Sequence, residues 1–341
     1  MRAPFRSWRR PWLPGTCRGG LIMAALGLCS ACGGPQSSLR PAGIEAARVA
    51  ELFWWMTAVG LLIWALVIGL ALYVTRLRPA EHNVRASRWL IIGGGAVFPT
   101  LVLGALLTYS LSLMSELRPA GGEPAARIEV AGEQWWWRVR YLPANGEAVE
   151  LANEIRLPVG ERALFRLSSP DVIHSFWIPA LGGKLDMIPG RVNELILEPT
   201  ETGVYRGACA EYCGTSHALM NFQVVVMEPQ AYAAWLTHQA APASPPRSTV
   251  AERGQRAFLA NGCGACHAIR GTPADGRVGP DLTHVGSRLG LGADVLPNTP
   301  EDFVRWIGHT DRVKPNVKMP AFGMLPEDEL AALATYLSEL E

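Results

Sequence analysis

Two long runs without a charged residue constrain the fold of this chain more than any other feature. Residues 52–74 are 23 consecutive uncharged positions, about 34 Å as a helix at ~1.5 Å per residue, which is enough to cross a bilayer. Residues 89–114 form a second such run, containing Pro99 and three consecutive glycines. A membrane helix tolerates these where neighbouring protein re-satisfies its backbone. Two buried helices of a soluble domain fail on length. Between the runs, Arg76, Arg78, Arg85 and Arg88 oppose only Glu81, so the positive-inside rule puts this loop in the cytoplasm and everything after Met114 outside. Trp54, Trp55 and Trp89 fall near the expected interfaces. The reading is a transmembrane hairpin over residues 50–116, with spans 52–74 and 89–114.

The amino end reads as targeting. Arg2, Arg6, Arg9, Arg10 and Arg18 precede an uncharged stretch over 19–31, the layout of a secretory signal. Residues 1–31 are read as that signal, with Cys32 as a candidate lipoprotein cysteine. A net charge of +1 conceals a partition: nine basic against fourteen acidic residues over 121–238, and nine against twelve from 251 to the end. Mildly acidic domains disfavour nucleic acid as a partner and permit docking of a basic protein.

Residues 127–227 read as β structure. Alternating stretches at 127–131, 164–167 and 194–198 are separated by Gly and Pro turns, and 222–226 closes the set. Short strands at this spacing predict a sandwich, assigned to residues 121–238. Residues 239–250, rich in Pro, Ala and Ser, read as a linker. Residues 251–341 read as a small helical domain. There Thr299 caps a helix with Pro300 at its first position, and a last helix from Pro326 carries Leu330, Leu333, Leu337 and Leu340 on one stripe.

The chemistry is concentrated in two phrases. In the first, Cys209, Glu211, Cys213, His217 and Met220 lie in one short loop, with His174 upstream. Soft sulfur with imidazole suits copper or zinc. A single-copper site asks for one Cys, two His and a Met, and the second thiol allows two thiolates to bridge two ions. A disulfide between Cys209 and Cys213 and a structural zinc site are the alternatives. In the second, Cys263, Cys266 and His267 form Cys-x-x-Cys-His, the attachment pattern for a c-type haem, with His267 as proximal ligand. Met319, fixed before Pro320, is the expected opposite ligand; Met324, His309 and His284 are its rivals. Residues 279–282 are expected to wall the haem edge.

Together these phrases resemble cytochrome c oxidase subunit II in the variant with a fused cytochrome c domain, as in caa3-type oxidases. The resemblance runs from the first span to the end and is carried by Gln134-Trp135-Trp136-Trp137, residues 171–179, residues 184–191 and the Cys loop. It implies a multidomain membrane protein: a two-helix transmembrane hairpin, an all-β cupredoxin-like sandwich and an all-α class I cytochrome c domain. It also implies a dinuclear copper centre (CuA) held by His174, Cys209, the Glu211 carbonyl, Cys213, His217 and Met220. The Glu211 side chain then reaches a magnesium ion shared with subunit I, and Trp135 matches the tryptophan through which electrons enter. Two positions depart from the family: Ala86 stands where an acidic residue usually precedes the second span, leaving the proton-path entrance unassigned, and Glu133 stands where His is frequent.

The implied function is electron transfer from a cytochrome c or cytochrome bc1 complex donor, through the covalent haem c and CuA, to subunit I. There oxygen is reduced and protons are pumped, with subunit III as a further partner. The implied location is the bacterial inner membrane, with both metal domains on the periplasmic side. Neither span contains His, so the oxygen site belongs to another subunit. A quinol oxidase subunit should lack the copper ligands. A CuA-bearing small subunit of a nitric oxide reductase and a stand-alone membrane-tethered electron shuttle are the remaining alternatives.

Overall fold

The computed structural model describes residues 33–77, 83–116, 123–143 and 146–341. The signal-peptide and Cys32 readings, and the loop residues Arg78 and Glu81, lie outside the described residues.

The hairpin is built from α1 (Ile44–Leu72), continued by a π-helical turn at Tyr73–Leu77, and from α2 (Val84–Ile92) and α3 (Phe98–Glu116), joined by a second π-helical turn at Gly93–Val97. That second turn ends two residues before Pro99, which has no N–H to offer the α ladder, so the wider register falls where an ordinary hydrogen bond is lost. Segments Ile44–Leu77 and Val84–Ser112 are long and apolar enough to cross a membrane, and Trp55, Leu62 and Trp64 are more than 60% exposed. Surface this apolar needs lipid or a partner helix. The first helix begins earlier than the uncharged run because its start is built into the sandwich. Ala42 N–H donates to Ala180 O at 2.7 Å, and Thr200 N–H donates to Ala42 O at 2.7 Å. Ala42, just before the first span, therefore lies on the same side of the hairpin as the sandwich.

The sandwich has two five-stranded sheets. One runs β3 (Val149–Ala152), β2 (Trp136–Tyr141), β1 (Ala126–Glu133), β5 (Ala163–Ser168), β8 (Asn193–Leu197). The other runs β4 (Glu154–Pro158), β10 (Asn221–Met227), β9 (Gly203–Cys209), β6 (His174–Trp177), β7 (Leu185–Met187). Only β1–β5 and β4–β10 are parallel pairs. Alternation sets the register: Ile128 and Val130 face inward while Arg127 is exposed, so a slip of one residue would turn the whole face outward. Trp137 meets Phe176 and Phe222 edge-on at 5.8 and 5.0 Å between ring centroids, fixing the core directly beneath β6 and β10. The sheets end in α4 (Pro229–Ala240), a helix whose Tyr232 and Trp235 pack against Tyr141.

The last domain comprises α5 (Thr249–Ala260), α6 (Pro300–Gly308), the short α7 (Thr310–Val313) and α8 (Glu327–Ser338). Thr299 Oγ1 caps α6 by accepting from Asp302 N–H at 3.2 Å. Leu330, Leu333, Leu337 and Leu340 are all buried. Gly254 lets α5 cross α8 closely, since a Cβ there would stand 2.0 Å from Ala332 O. The domain is not wholly α: Gly290–Leu291 pairs with Leu296–Pro297 as a minimal hairpin.

The segment read as a linker is held against the helical domain. Residues 239–250 include the end of α4 and the start of α5, and what lies between is captured by the helical domain. Arg270 binds the carbonyls of Gln239 and Ala241, Ala243 N–H donates to Arg270 O at 2.9 Å, and Arg247 pairs with Glu341. Backbone carbonyls supply this adhesion, so side-chain composition gives no sign of it.

Candidate metal centres

The thiol loop hangs between β9 and β10, and β6 supplies its histidine. Cys209 ends β9 and His174 begins β6, two neighbouring strands, which explains how residues 35 apart come together. His174 Nδ1 lies 3.8 Å from Cys209 Sγ, Cys209 Sγ lies 3.8 Å from Cys213 Sγ, and Cys213 Sγ lies 3.5 Å from His217 Nδ1. Met220 Sδ is 3.8 Å from Cys213 Sγ, and the Glu211 carbonyl is 3.2 Å from Cys209 Sγ. The imidazoles thus stand at opposite ends of a thiol pair, with a thioether on one side and a carbonyl on the other. Among the described residues, His174, Cys209 and Cys213 form the one cluster of potential metal donors, within 4.8 Å of one another. The thiols are not bonded to each other. Glu211, half-buried, belongs to no group of three or more potential metal donors among the described residues.

Electrostatics prepares the loop for a cation. The hydrogen bond from Cys213 holds the Cys209 thiol far below its ordinary range, against burial and with help from His174. Cys213 is pushed up, by the same hydrogen bond and by burial. Two thiolates 3.8 Å apart in a buried loop cannot both persist without a metal to neutralise them. For His174, burial works against the charged form, but Cys209 and Asp171 outweigh it and its pKa is raised. Asp171 Oδ1 lies 2.9 Å from His174 Nε2, so Nε2 carries a proton and Nδ1 is turned to the sulfur, the carboxylate–imidazole arrangement common behind metal ligands. Soft sulfur, two imidazoles and a thioether together fit copper better than a hard ion.

The second site is an apolar cavity of about 330 Å³. Cys263, Cys266, His267 and Met319 all line it, as do Gly279, Pro280 and Leu282. His267 Nδ1 lies 2.8 Å from Pro280 O. A carbonyl only accepts, so Nδ1 carries the proton and Nε2 keeps a free lone pair. Burial lowers the pKa of His267, which preserves that neutral form. Gly279 permits the arrangement, since a Cβ there would come within 2.5 Å of His267 Cε1. Thr310 Oγ1 donates to Met319 O at 3.1 Å, anchoring that loop. Of the rivals, Met324 is 76% exposed, His309 is exposed, and His284 is bound to the carbonyls of Glu341 and Ala241; none lines the cavity. Two thiols, an imidazole and a thioether around an apolar slot fit a c-type haem.

The two sites share a wall. Gln134, Trp135 and Trp136 of the sandwich line the same cavity. Trp135 is buried, its Nε1–H donating to Cys213 O at 3.0 Å, and Gln134 Nε2 donates to that carbonyl at 2.7 Å. Of the three adjacent indoles, Trp136 is the half-exposed one, beneath the Arg138 guanidinium at 4.7 Å. Further contacts join the domains: Arg206–Asp294 at 2.8 Å, Glu154 accepting from Leu289 N–H at 2.8 Å, and Lys314 Nζ donating to Leu219 O at 2.8 Å. The partly exposed Arg206–Asp294 pair is worth about 0–1 kcal/mol. Removing the donor from a buried carbonyl such as Leu219 O costs ~1–3 kcal/mol, so Lys314 is the stronger tie.

Sequence reasoning named every residue of both clusters but missed Asp171, Gln134, Gly279 as the neighbour of His267, and Lys314. Asp171, three positions before His174, was the one with a readable signal, because a metal-binding imidazole commonly rests its far nitrogen on a carboxylate.

Two family patterns match separate parts of this chain. The sequence pattern of the family described as "Cytochrome C oxidase subunit II, periplasmic domain" matches residues 142–228, and that of "Cytochrome c" matches residues 251–341. Cytochrome c oxidase subunit 2 of Bacillus subtilis is 32% identical over 343 residues, covering 92% of this chain and 94% of that protein. Cytochrome c oxidase subunit 2 of Alkalihalophilus pseudofirmus is 39% identical over 223 residues, covering 65% of this chain but only 64% of the relative. Among solved structures, the periplasmic domain of subunit II of cytochrome oxidase (CoxB) of Bradyrhizobium japonicum is similar at 33% identity, covering 35% of this chain and 95% of that one with a TM-score of 0.33.

Proposed function

This chain belongs to the cytochrome c oxidase subunit 2 family, and from that membership we propose that it is the subunit through which electrons enter a haem-copper oxidase. Oxygen is reduced in a partner, subunit I. One observation carries the reading: Trp135 lines the cavity that holds Cys263, Cys266, His267 and Met319 and is hydrogen-bonded at 3.0 Å to the loop that holds Cys209 and Cys213.

In this reading Cys263 and Cys266 would hold a c-type haem covalently, and His267 and Met319 would ligate its iron. His174, Cys209, Cys213, His217, Met220 and the Glu211 carbonyl would hold a dinuclear copper centre. When bound, these groups supply one-electron carriers. The chain's own residues do the positioning. Asp171 fixes the tautomer of His174, and Pro280 O fixes that of His267. Two strands and a clamped loop keep the donor set rigid, which suits a centre whose geometry should barely change with oxidation state. Trp135 is the residue through which electrons pass between the two sites, and its burial excludes water from that contact. The Glu211 side chain reaches magnesium only with ligands from subunit I. The exposed helices seat against subunit I and lipid, with subunit III as a further neighbour. The assembly lies in a bacterial inner membrane, both metal domains are periplasmic, and the donor is a cytochrome c or the cytochrome bc1 complex.

The test uses the whole oxidase purified from membranes. With reduced cytochrome c as donor, oxygen uptake is expected. Cys213→Ser should leave the haem reducible but abolish uptake. Uptake that survives this substitution contradicts the reading, and consumption of nitric oxide in place of oxygen reassigns the partner to a reductase.

A further inference from the structure

The haem-bearing domain reaches into the middle of the thiol loop. Lys314 is 1% exposed, and its Nζ donates to Leu219 O at 2.8 Å and to Gly292 O at 2.7 Å. Its neighbours hold the same loop. Ser216 Oγ donates to Pro315 O at 2.6 Å, and Asn316 Nδ2 donates to Thr215 Oγ1 at 3.0 Å. Asn316 adopts a left-handed backbone, φ 65°, which turns the segment back against the loop. Val317 then packs against the sandwich core. Every loop residue gripped in this way, Thr215, Ser216 and Leu219, lies between Cys213 and Met220.

We propose that Lys314 is a positioning residue for the metal loop: the haem domain completes the site on the sandwich by fixing the turn that carries His217 and Met220. This rests on reading residues 209–220 as a copper loop. His217–Leu219 is a single 3-10 turn, held by Leu219 N–H to Ser216 O at 3.0 Å and Met220 N–H to His217 O at 3.1 Å. One such turn is a weak structure by itself. Its exit sets where the Met220 thioether stands relative to Cys213, and Lys314 holds the last carbonyl of the turn. The hold does not depend on charge. Burial pulls Lys314 down to about 7, but a neutral amine still has two N–H bonds for its two acceptors. A surface lysine could not play this part, because water would compete for both carbonyls. The copper-binding sandwich cut away from residues 251–341 therefore lacks a component of its own loop.

The experiment compares the full chain with Lys314→Met and with Asp294→Asn, which weakens the interface at both Arg206 and Gln223 without a contact to residues 209–220. Hydrogen exchange is read at the amides of His217, Leu219 and Met220 in the metal-free protein. The copper paramagnetic resonance spectrum is read after loading. Lys314→Met should speed exchange about tenfold, the scale of one lost hydrogen bond to a buried carbonyl, and should alter the copper spectrum. Asp294→Asn should change neither. Lys314→Gln serves as the second variant if the Met variant does not fold. Unchanged exchange in the Lys314 variant, or equal effects from Asp294→Asn, overturns the proposal. If the unaltered chain takes up no copper while the exchange result holds, the copper reading fails and the hold on the turn stands.

Discussion

Trp135 donates its indole N–H to the carbonyl of Cys213 at 3.0 Å while lining the cavity that contains His267. One side chain thus touches the wall of the haem site and the backbone of the thiol loop. In a subunit without a fused haem domain, such a tryptophan would face an external donor. Here Trp135 instead lines a cavity shared with Cys263, Cys266, His267 and Met319 of the same chain.

Trp135→Phe tests this relationship. A smaller aromatic ring remains but the indole N–H is lost, and Gln134 still serves the Cys213 carbonyl. The stability cost should stay within about 0.5–1.5 kcal/mol. Electron transfer from haem to copper, followed after rapid reduction of the haem, should slow markedly while the rate of haem reduction by the external donor stays the same.

Gly279→Ala should be far more damaging than its size suggests. The new methyl would meet the His267 ring at 2.5 Å, so the imidazole must leave Pro280 O or the loop must shift. Overpacking of this kind costs ~1–3 kcal/mol. The expected signature is a low-spin haem spectrum that becomes partly high-spin, with lowered thermal stability.

The two C-terminal methionines separate cleanly. Met319→Leu should remove one axial ligand and change the haem spectrum and potential. Met324→Leu, at a residue 76% exposed, should change neither.

Lys314 also gives a pH dependence. In the folded protein its pKa is lowered from 10.5 to about 7, so between those values the unfolded chain binds more protons than the folded one. Stability contributed by this residue therefore rises with pH from about 7 to 10.5 and is flat below. Thermal unfolding of the metal-free chain across this range should show that slope, and Lys314→Met should lose it.

The donor residues were legible because their chemistry is local: Cys209, Cys213, His217 and Met220 share one loop, and Cys263, Cys266 and His267 share one turn. The strands at 127–131 and 222–226 were legible by alternation, and the cap at Thr299 by its following proline. What could not be read depends on contacts between distant segments. A lysine in a polar stretch looks like a solvated charge until Leu219 and Gly292 are found around it. Residues 239–250 look like a tether until Arg270 is found holding their carbonyls. Helix α4, with Pro229 at its first position, did carry a local signal that the strand reading passed over.

The most direct measurement is electron paramagnetic resonance of the oxidised, copper-loaded full chain, read at the copper signal apart from that of the ferric haem. A hyperfine pattern from one unpaired electron shared equally by two copper nuclei, lost in Cys213→Ser, is the result this account predicts. A single-copper pattern, or no copper signal, would contradict it and leave a membrane-tethered cytochrome c beside a sandwich that carries electrons by some other means or not at all.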